Sequence, residues 1–294
     1  MGRAALFDRI VVVDWSAASA PRRGADSIWI AALDADGCRL ENPPTRRAAS
    51  DRLMAIVDDV SVGCTLLGVD FSLGYPAGTA VAAGLGRGGL AWRAMWEHLE
   101  ACITDGDDNT NNRFAVGADL NRRIGEPLGP FWGRPARMSI EGLPTRKPAT
   151  TRPQWRGVEA QLRAHGWRPF SSWQLLGAGS VGSQSLTGIP ILQRMRRRAG
   201  SRVHVWPFTT GLRPPVLRAG DVVIAEVWPT LVPHDGAHAV RDAAQVLSVA
   251  DHLARLDEAG ELAALFQPEV DDDMARPVVD EEGWVLGVSR AGVG

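Results

Sequence analysis

Cysteine is scarce in this sequence. The three cysteines, Cys38, Cys64 and Cys102, are odd in number and widely spaced, and none belongs to a CxxC pair. No neighbouring pair of histidines completes a zinc-binding pattern with them. The cysteines therefore predict neither a disulfide framework nor a zinc site.

Long apolar runs are missing as well. A helix that spans a membrane needs roughly 20 consecutive apolar residues, and no stretch of this chain approaches that length. The N-terminal apolar run is interrupted by Asp8, Arg9 and Asp14. We therefore expect no membrane partner and a cytoplasmic location.

The sequence also lacks internal repeats and low-complexity runs. Its 32 glycines and 19 prolines are spread along 294 residues, of which 45% are hydrophobic and 22% are charged, as in ordinary globular proteins. This length falls between one large domain and two ordinary ones. We predict one core formed by residues 1–84 and 201–294, interrupted by an insertion over residues 85–200.

Neither sign of charge dominates overall, because the formal net charge is only -2, but the charges are unevenly distributed. Residues 85–200 contain seventeen Arg and Lys against nine Asp and Glu, whereas the rest of the chain contains fifteen against twenty-five. A basic segment attracts anionic ligands, although solvated surface charge produces the same imbalance. The anionic partner to expect is nucleic acid or a nucleotide-like substrate.

Short apolar runs predict an α/β fold. Residues 10–17, IVVVDWSA, include four consecutive β-branched residues and indicate a buried strand that delivers Asp14 to a functional site. A turn signal at Asp36-Gly37 joins the next two strands into a meander with the first. Strands are predicted over 10–17, 27–35, 38–44, 64–76, 202–208 and 221–233, and helices over 51–60 after a cap at Ser50, 90–103 and 239–260.

Four acidic residues lie where strands end or where a helix should cover the sheet: Asp14, Asp70, Glu226 and Asp242. Each one alone is typical of a surface acid or a helix cap. Where a sheet contains parallel strands, however, neighbouring strand ends converge on one crevice, and clustered carboxylates bind Mg²⁺ or Mn²⁺. We predict that Asp14 bridges two such ions about 3.5 to 4 Å apart and that the other three acids complete their coordination.

The segments around these acids resemble a known family. VVVDWSA, LLGVDFSLGYP, AEVWPTLVP and the helix that starts RDAAQV are similar to the motifs of an uncharacterised bacterial and archaeal family described as predicted nucleases with a ribonuclease H-like fold. The acids of that family fall on Asp14, Asp70, Glu226 and Asp242. The resemblance covers both ends of the chain. It implies a ribonuclease H-like mixed sheet flanked by helices, and we expect the insertion to lie over the carboxylate face.

A glycine-rich segment, GAGSVG at residues 177–182, fits the GxGxxG pattern of dinucleotide-binding loops. LTGIP at residues 186–190 is expected to interrupt the helix that such a loop requires, and no acid follows at the usual distance. Two interpretations are favoured over a dinucleotide site. One is a loop that binds phosphate through Gly179, Ser180 and Ser183, and the other is a simple tight turn.

Serines and histidines offer weaker candidates. Ser16 and Ser72 each follow an aspartate of the predicted site by two residues, which makes them candidates for substrate contact. Hydroxyls in turns nevertheless usually bond to nearby backbone. His234 and His238 have the spacing of a zinc pair on a helix, but the proline and glycine around them favour a loop.

The insertion is rich in tryptophan and arginine. It contains six of the eleven tryptophans, which suit base stacking in principle. Trp92 and Trp96 are four residues apart, however, as in a packing stripe on a helix, so packing is favoured for the set. The basic run at residues 194–198 indicates a solvated helix end more than a contact site.

Metal-dependent phosphodiester hydrolysis, on nucleic acid or a nucleotide-containing small molecule, is the leading expectation. The alternatives are a phosphotransferase or nucleotide-cofactor enzyme on the same scaffold and a non-catalytic binding or scaffold protein. A nuclease requires an open groove beside the acids, whereas a small-molecule enzyme requires a closed pocket. In a scaffold protein the acids would be far apart or neutralised by arginine. A separation of more than about 8 Å between the Asp14 and Asp70 carboxyl groups would exclude a shared pair of metals.

Overall fold

A computed structural model describes residues 5–86, 90–126, 128–177, 179–234, 236, 238–289 and 292–293. Its centre is a six-stranded mixed sheet with the spatial order β3-β2-β1-β4-β6-β5. The first three strands pair antiparallel, and β1, β4, β6 and β5 pair parallel. The strands are β1 (Arg9–Asp14), β2 (Trp29–Asp34), β3 (Gly37–Glu41), β4 (Thr65–Val69), β5 (Val203–Val205) and β6 (Val222–Glu226).

The predicted strand over residues 10–17 is β1, and it lies at the centre of the sheet between β2 and β4. A strand paired on both sides and covered on both faces reads as a continuous apolar run, as IVVV does. The predicted meander is also confirmed. Asp34 pairs with Gly37, which leaves a two-residue turn, and the positive φ of 109° at Gly37 is accessible to glycine without steric cost.

Helices cover both faces of the sheet. One face packs against α1 (Arg46–Asp58), α3 (Ala91–Cys102) and α6 (Val181–Ala199), and the other packs against α7 (Arg241–Glu258) and α5 (Gly157–Ala164). The other α-helices are α2 (Thr79–Ala82), α4 (Arg113–Ile124), α8 (Leu262–Leu265) and α9 (Asp272–Pro277), and a short hairpin joins β7 (Val288–Ser289) to β8 (Gly292–Val293). Short 3-10 turns and a π-helical turn at Val278–Glu282 complete the described secondary structure. No helix of the described residues is long and apolar enough to cross a membrane.

The side chains of the central strands alternate between two separate cores. Val11 and Val13 of β1 belong to the core under α1, α3 and α6, whereas Ile10 and Val12 belong to the core under α7. This alternation follows from the two-residue repeat of a strand. It also decides which acids at the strand ends can meet, because residues in register on parallel neighbours point to the same face.

Helix α1 begins earlier than its sequence pattern predicts. Thr45, not Ser50, is the N-cap, and its hydroxyl accepts a hydrogen bond from the Ala48 N–H at 3.2 Å. Ser50 lies inside the helix and is buried. The extra turn includes Arg46, whose buried guanidinium binds Asp105, so a contact with a distant loop extends the helix.

Helix α6 continues through the LTGIP segment, where we predicted an interruption. Gly188 is required by packing, since a Cβ there would lie 2.3 Å from the Phe71 ring. Pro190 removes one backbone hydrogen bond, a defect that costs about 3 kcal/mol in an isolated helix. Leu186, Ile189 and their neighbours are fully buried, and this burial offsets the loss.

The insertion is built into the core. Its helices α3 and α6 pack on one face of the sheet, while Val158 and Leu162 of α5 join the core on the other face. The insertion reaches the acids at the strand ends through Gln184 of α6, which contacts Asp70, and through Arg156, which contacts Glu226. The insertion thus contributes to both faces of the sheet.

Candidate functional site

Asp14 and Asp70 stand side by side at the ends of two neighbouring parallel strands. The last paired residues of β1 and β4 are Val13 and Val69, and the Asp70 N–H donates to the Val13 carbonyl at 3.2 Å. The two carboxyl groups are in hydrogen-bonding contact. They therefore lie far inside the limit of about 8 Å that a shared metal site allows.

The Asp70 carboxylate is held in place by two donors. Its Oδ1 accepts from the Trp15 N–H at 2.8 Å, and its Oδ2 accepts from the side-chain amide of Gln184 at 3.2 Å. The same Gln184 nitrogen also donates to the Trp15 carbonyl. Both donors thus fix the carboxylate against the loop that follows β1.

Asp242 joins this pair from the first turn of α7. Its Oδ2 accepts from the Asp26 N–H at 2.7 Å, and Asp26 has a positive φ of 53°, a left-handed conformation that non-glycine residues rarely adopt. The charges of Asp242 and Asp26 both act on Asp14. We refer to Asp14, Asp70 and Asp242 as the acidic triad.

The triad is electrostatically unbalanced. Burial, followed by the charges of Asp70 and Asp242, holds the pKa of Asp14 well above its ordinary value. Burial also raises the pKa of Asp70 to about 7, even though the Trp15 N–H favours its charged form. Two adjacent carboxyl groups that cannot both ionise easily need either a shared proton or a bound cation.

Glu226 does not join the triad. It pairs in register with Val69, and Val69 pairs with Val13, so Glu226 shares their face of the sheet. Asp14 and Asp70 are one residue further along and point to the other face. Our sequence-based placement of Glu226 beside Asp14 overlooked this one-residue offset.

Glu226 is instead neutralised by Arg156, which is fully buried. Arg156 Nη1 and Nη2 donate to the two Glu226 oxygens at 2.8 and 2.6 Å, and Arg156 Nε donates to Glu159 at 2.8 Å. The Leu73 N–H completes the shell of Glu226 at 3.2 Å. Burial lowers the pKa of Arg156, but the charges of Glu159 and Glu226 more than offset that effect and raise it.

The predicted substrate serines are mostly engaged within the protein. The Ser16 hydroxyl donates to the Asp26 carbonyl at 3.2 Å, and Ser72 is buried. Ser183 is also buried, and its hydroxyl accepts from Arg113 Nε at 2.9 Å while it donates to the Leu175 carbonyl. The hydroxyls of Ser16 and Ser183 therefore stabilise the local structure.

The GAGSVG segment leads directly into α6. Ser180 is the N-cap residue, and Gly179 has a positive φ of 63° with the Phe170 ring against its Cα. Among the described residues, the stretch immediately before the segment forms a single bridge, between Gln174 and Trp132, and is not a strand of the main sheet. It therefore lacks the strand-turn-helix context that a dinucleotide fingerprint requires. Ala178 lies outside the described residues.

The remaining candidates with structural contacts are the tryptophans and arginines of the insertion and His238 after β6. None of the six insertion tryptophans is exposed, and Trp92 and Trp96 are both buried, as their spacing predicts. Arg197 and Arg198, at the end of α6, form ion pairs with acids of other helices. His238 lies in a loop and accepts from the Val240 N–H.

Sequence reasoning missed three residues at this edge: Asp26, Gln184 and Arg113. Gln184 contacts Asp70 across 114 positions in the chain, and Asp26 contacts Asp242 across 216. No local pattern marks such partners. Arg113 is described below.

Within the described residues, no group of three or more His, Cys, Asp or Glu side chains is already arranged around a metal position. Direct contact is limited to Asp14 and Asp70, and Asp242 acts on them as a nearby charge. No family model, curated protein or solved structure matches the chain.

Proposed function

We propose that this protein is a ribonuclease H-like, Mg²⁺- or Mn²⁺-dependent phosphodiester hydrolase acting on nucleic acid or a nucleotide-containing substrate. The proposal is carried by one observation. The carboxyl groups of Asp14 and Asp70 are in contact and partly buried at the ends of parallel strands, and the nearby charges of Asp242 and Asp26 have the same sign.

The topology supports the proposed fold assignment. A three-strand antiparallel meander continues through parallel strands in the order β3-β2-β1-β4-β6-β5. The triad is contributed by the central strand β1, its parallel neighbour β4 and the helix α7 that covers the sheet. These are three of the four positions at which the resembled family carries acids. The fourth, Glu226, has a structural partner and is left out of the proposed site.

The donor set fits the proposed cation. Mg²⁺ prefers oxygen ligands, and it is commonly bound through one or two carboxylates together with substrate phosphates and water. A contacting pair of aspartates meets that requirement without a third protein ligand in place. When bound, the cation supplies charge neutralisation at the phosphate and a water of lowered pKa.

The residues of the chain perform the positioning. Asp14 and Asp70 would hold the cation, and the Trp15 N–H and the Gln184 amide would keep Asp70 oriented toward it. Asp242 adds negative charge that favours a divalent over a monovalent ion. The tryptophans of the insertion are packed and not exposed, which favours recognition of the phosphate over stacking on bases.

Hydrolysis assays test this proposal. Wild type, Asp14→Asn and Asp70→Asn are incubated with single-stranded RNA, duplex DNA, an RNA–DNA hybrid and bis(p-nitrophenyl) phosphate, each with Mg²⁺ or Mn²⁺. A metal ion supplies several kcal/mol of transition-state stabilisation, so we expect each variant to lose about 1000-fold or more. Asp36→Asn, at the exposed turn between β2 and β3, is the matched control. Equal metal-dependent activity in wild type and Asp14→Asn would refute the proposal.

A further inference from the structure

We propose that Arg113, with the first turn of α6, forms a subsite for a phosphate group beside the acidic triad. This inference rests on the proposed function, because it specifies what the same site binds. It is carried by different residues, however, and can be tested without metal and without hydrolysis.

Arg113 is a buried guanidinium with only neutral partners. It is 7% exposed, and it donates from Nε to Ser183 Oγ at 2.9 Å and from Nη1 to Ser19 Oγ at 3.1 Å and Asn111 Oδ1 at 2.7 Å. Within the described residues Nη2 donates to no acceptor, and it is not sealed from solvent. One edge of the guanidinium therefore keeps an unused donor, while its plane stacks on the Phe114 ring, with Cζ 4.3 Å from the ring centroid.

The nearest acid is already neutralised. Asp105 receives Nε and Nη2 of Arg46, both at 2.6 Å, in a two-point contact. Burial lowers the pKa of Arg113 to about 10, and the nearby charge of Arg46 is the second cause. Two guanidinium groups thus share one carboxylate, and the surplus positive charge lies on Arg113.

Burial of an uncompensated charge is costly unless a partner of opposite sign arrives. In a purely structural role, Arg113 would be expected to face a carboxylate, as Arg46 faces Asp105 and Arg156 faces Glu226. An arginine that keeps a free donor instead suits a phosphate, whose oxygens accept two parallel N–H bonds.

The first turn of α6 offers a second source of positive potential. The helix is 19 residues long, its first turn carries no acid, and the N-cap Ser180 makes no side-chain capping bond. The N–H groups of Val181, Ser183 and Gln184 already have backbone acceptors, so the attraction for an anion comes from the dipole of this long helix. Arg113 binds Ser183 in this same turn, so both features face one location.

This subsite and the triad share two chain segments. Ser183 binds Arg113, and the next residue, Gln184, binds Asp70. Ser19 binds Arg113, and Trp15 on the same loop binds Asp70. A phosphate on Arg113 would therefore lie beside the carboxylates that we propose to hold the cation.

Titration of inorganic phosphate into the full-length protein in EDTA, followed by ³¹P NMR and calorimetry, tests the subsite. We expect wild type to bind with a Kd of about 1 mM or tighter. Arg113→Gln should weaken binding at least 10-fold. Ser19→Glu should do the same, because a carboxylate at this exposed position would occupy the guanidinium without disturbing the core. Arg122→Gln, exposed on the same helix, should bind as wild type does.

The outcomes separate the two proposals. Loss of phosphate binding in Arg113→Gln and Ser19→Glu, with their far-ultraviolet circular dichroism unchanged, supports the subsite. If Arg113→Gln fails to fold, Ser19→Glu alone decides. No phosphate binding by wild type, or unchanged binding by a folded Ser19→Glu protein, refutes it. The titration in EDTA uses no metal ion and no hydrolysis, so failure of the proposed metal site would leave this result intact.

Discussion

Two groups of acids lie at the same edge of one sheet, on opposite faces, and they differ in how their charges are compensated. Glu226 receives both terminal nitrogens of Arg156 and one backbone N–H, so its charge is compensated even though burial raises its pKa. Asp14 contacts another carboxyl group, and the charges that raise its pKa are all negative. The compensated acid is part of the architecture, whereas the uncompensated pair is where a ligand is expected.

The difference arises from strand register. Residues that pair across β1, β4 and β6 point to one face, and the residue that follows points to the other. An acid in the last paired position enters the interior and requires an arginine. An acid one position later lies partly exposed at the edge of the sheet, where a ligand could reach it.

The largest effect on stability is expected from removing the compensating cation. Arg156→Met leaves Glu226 and Glu159 buried without their cationic partner, and breaking a buried ion pair in this way costs about 3 to 5 kcal/mol. Urea denaturation measures the change. Arg163→Met, at an exposed position on the same helix α5, is the control and should cost less than about 1 kcal/mol. A small effect of Arg156→Met would mean that Glu226 is not compensated by this arginine.

A smaller effect, of opposite sign, is expected at the triad. The folded-state pKa of Asp70 is about 7, above the unfolded value. Protonation of Asp70 therefore contributes fully to the free energy of unfolding below about pH 4, and this contribution is lost as the pH rises through 7. Asp70→Asn does not titrate, so without divalent ions it should exceed wild type by about 3 to 4 kcal/mol at pH 8 and match it near pH 4. Urea denaturation at both pH values measures this, and a destabilised Asp70→Asn at pH 8 would contradict the conclusion that burial disfavours the ionised form of Asp70.

The smallest expected effect concerns the donor that orients Asp70. The Gln184 amide favours the ionised form of Asp70. Gln184→Ala should raise the pKa of Asp70 by less than about one unit, since one hydrogen bond contributes about 1 kcal/mol. Carboxyl ¹³C chemical shifts followed against pH report this directly. A lowered pKa would show that Gln184 does not donate to this carboxylate.

Local sequence patterns predicted much of the architecture. The β-branched run of β1, the Asp36-Gly37 turn and the apolar helix α7 all appear where the patterns place them, because each depends on neighbours a few residues away. The predicted start of α1 and the predicted interruption of α6 were wrong. In both cases a distant contact, of Arg46 with Asp105 and of Phe71 with Gly188, overrides the local signal.

The candidate site was predictable only in part. An acid after an apolar run is visible in the sequence, and the structure brings Asp14, Asp70 and Asp242 together. The face on which an acid points depends on the register between strands, which no single segment encodes. Arg156 lies 70 residues from Glu226, so nothing local distinguishes that compensated acid from the others.

The most direct test of the central claim is calorimetric titration of Mg²⁺ and Mn²⁺ into wild type, Asp14→Asn and Glu226→Gln at pH 7. Since Asp70 titrates near this pH, metal binding should release protons, and the measured heat should vary with the ionisation enthalpy of the buffer. We expect binding by wild type and by folded Glu226→Gln, and none by Asp14→Asn. Equal binding by wild type and Asp14→Asn, or no binding by wild type, would contradict the account.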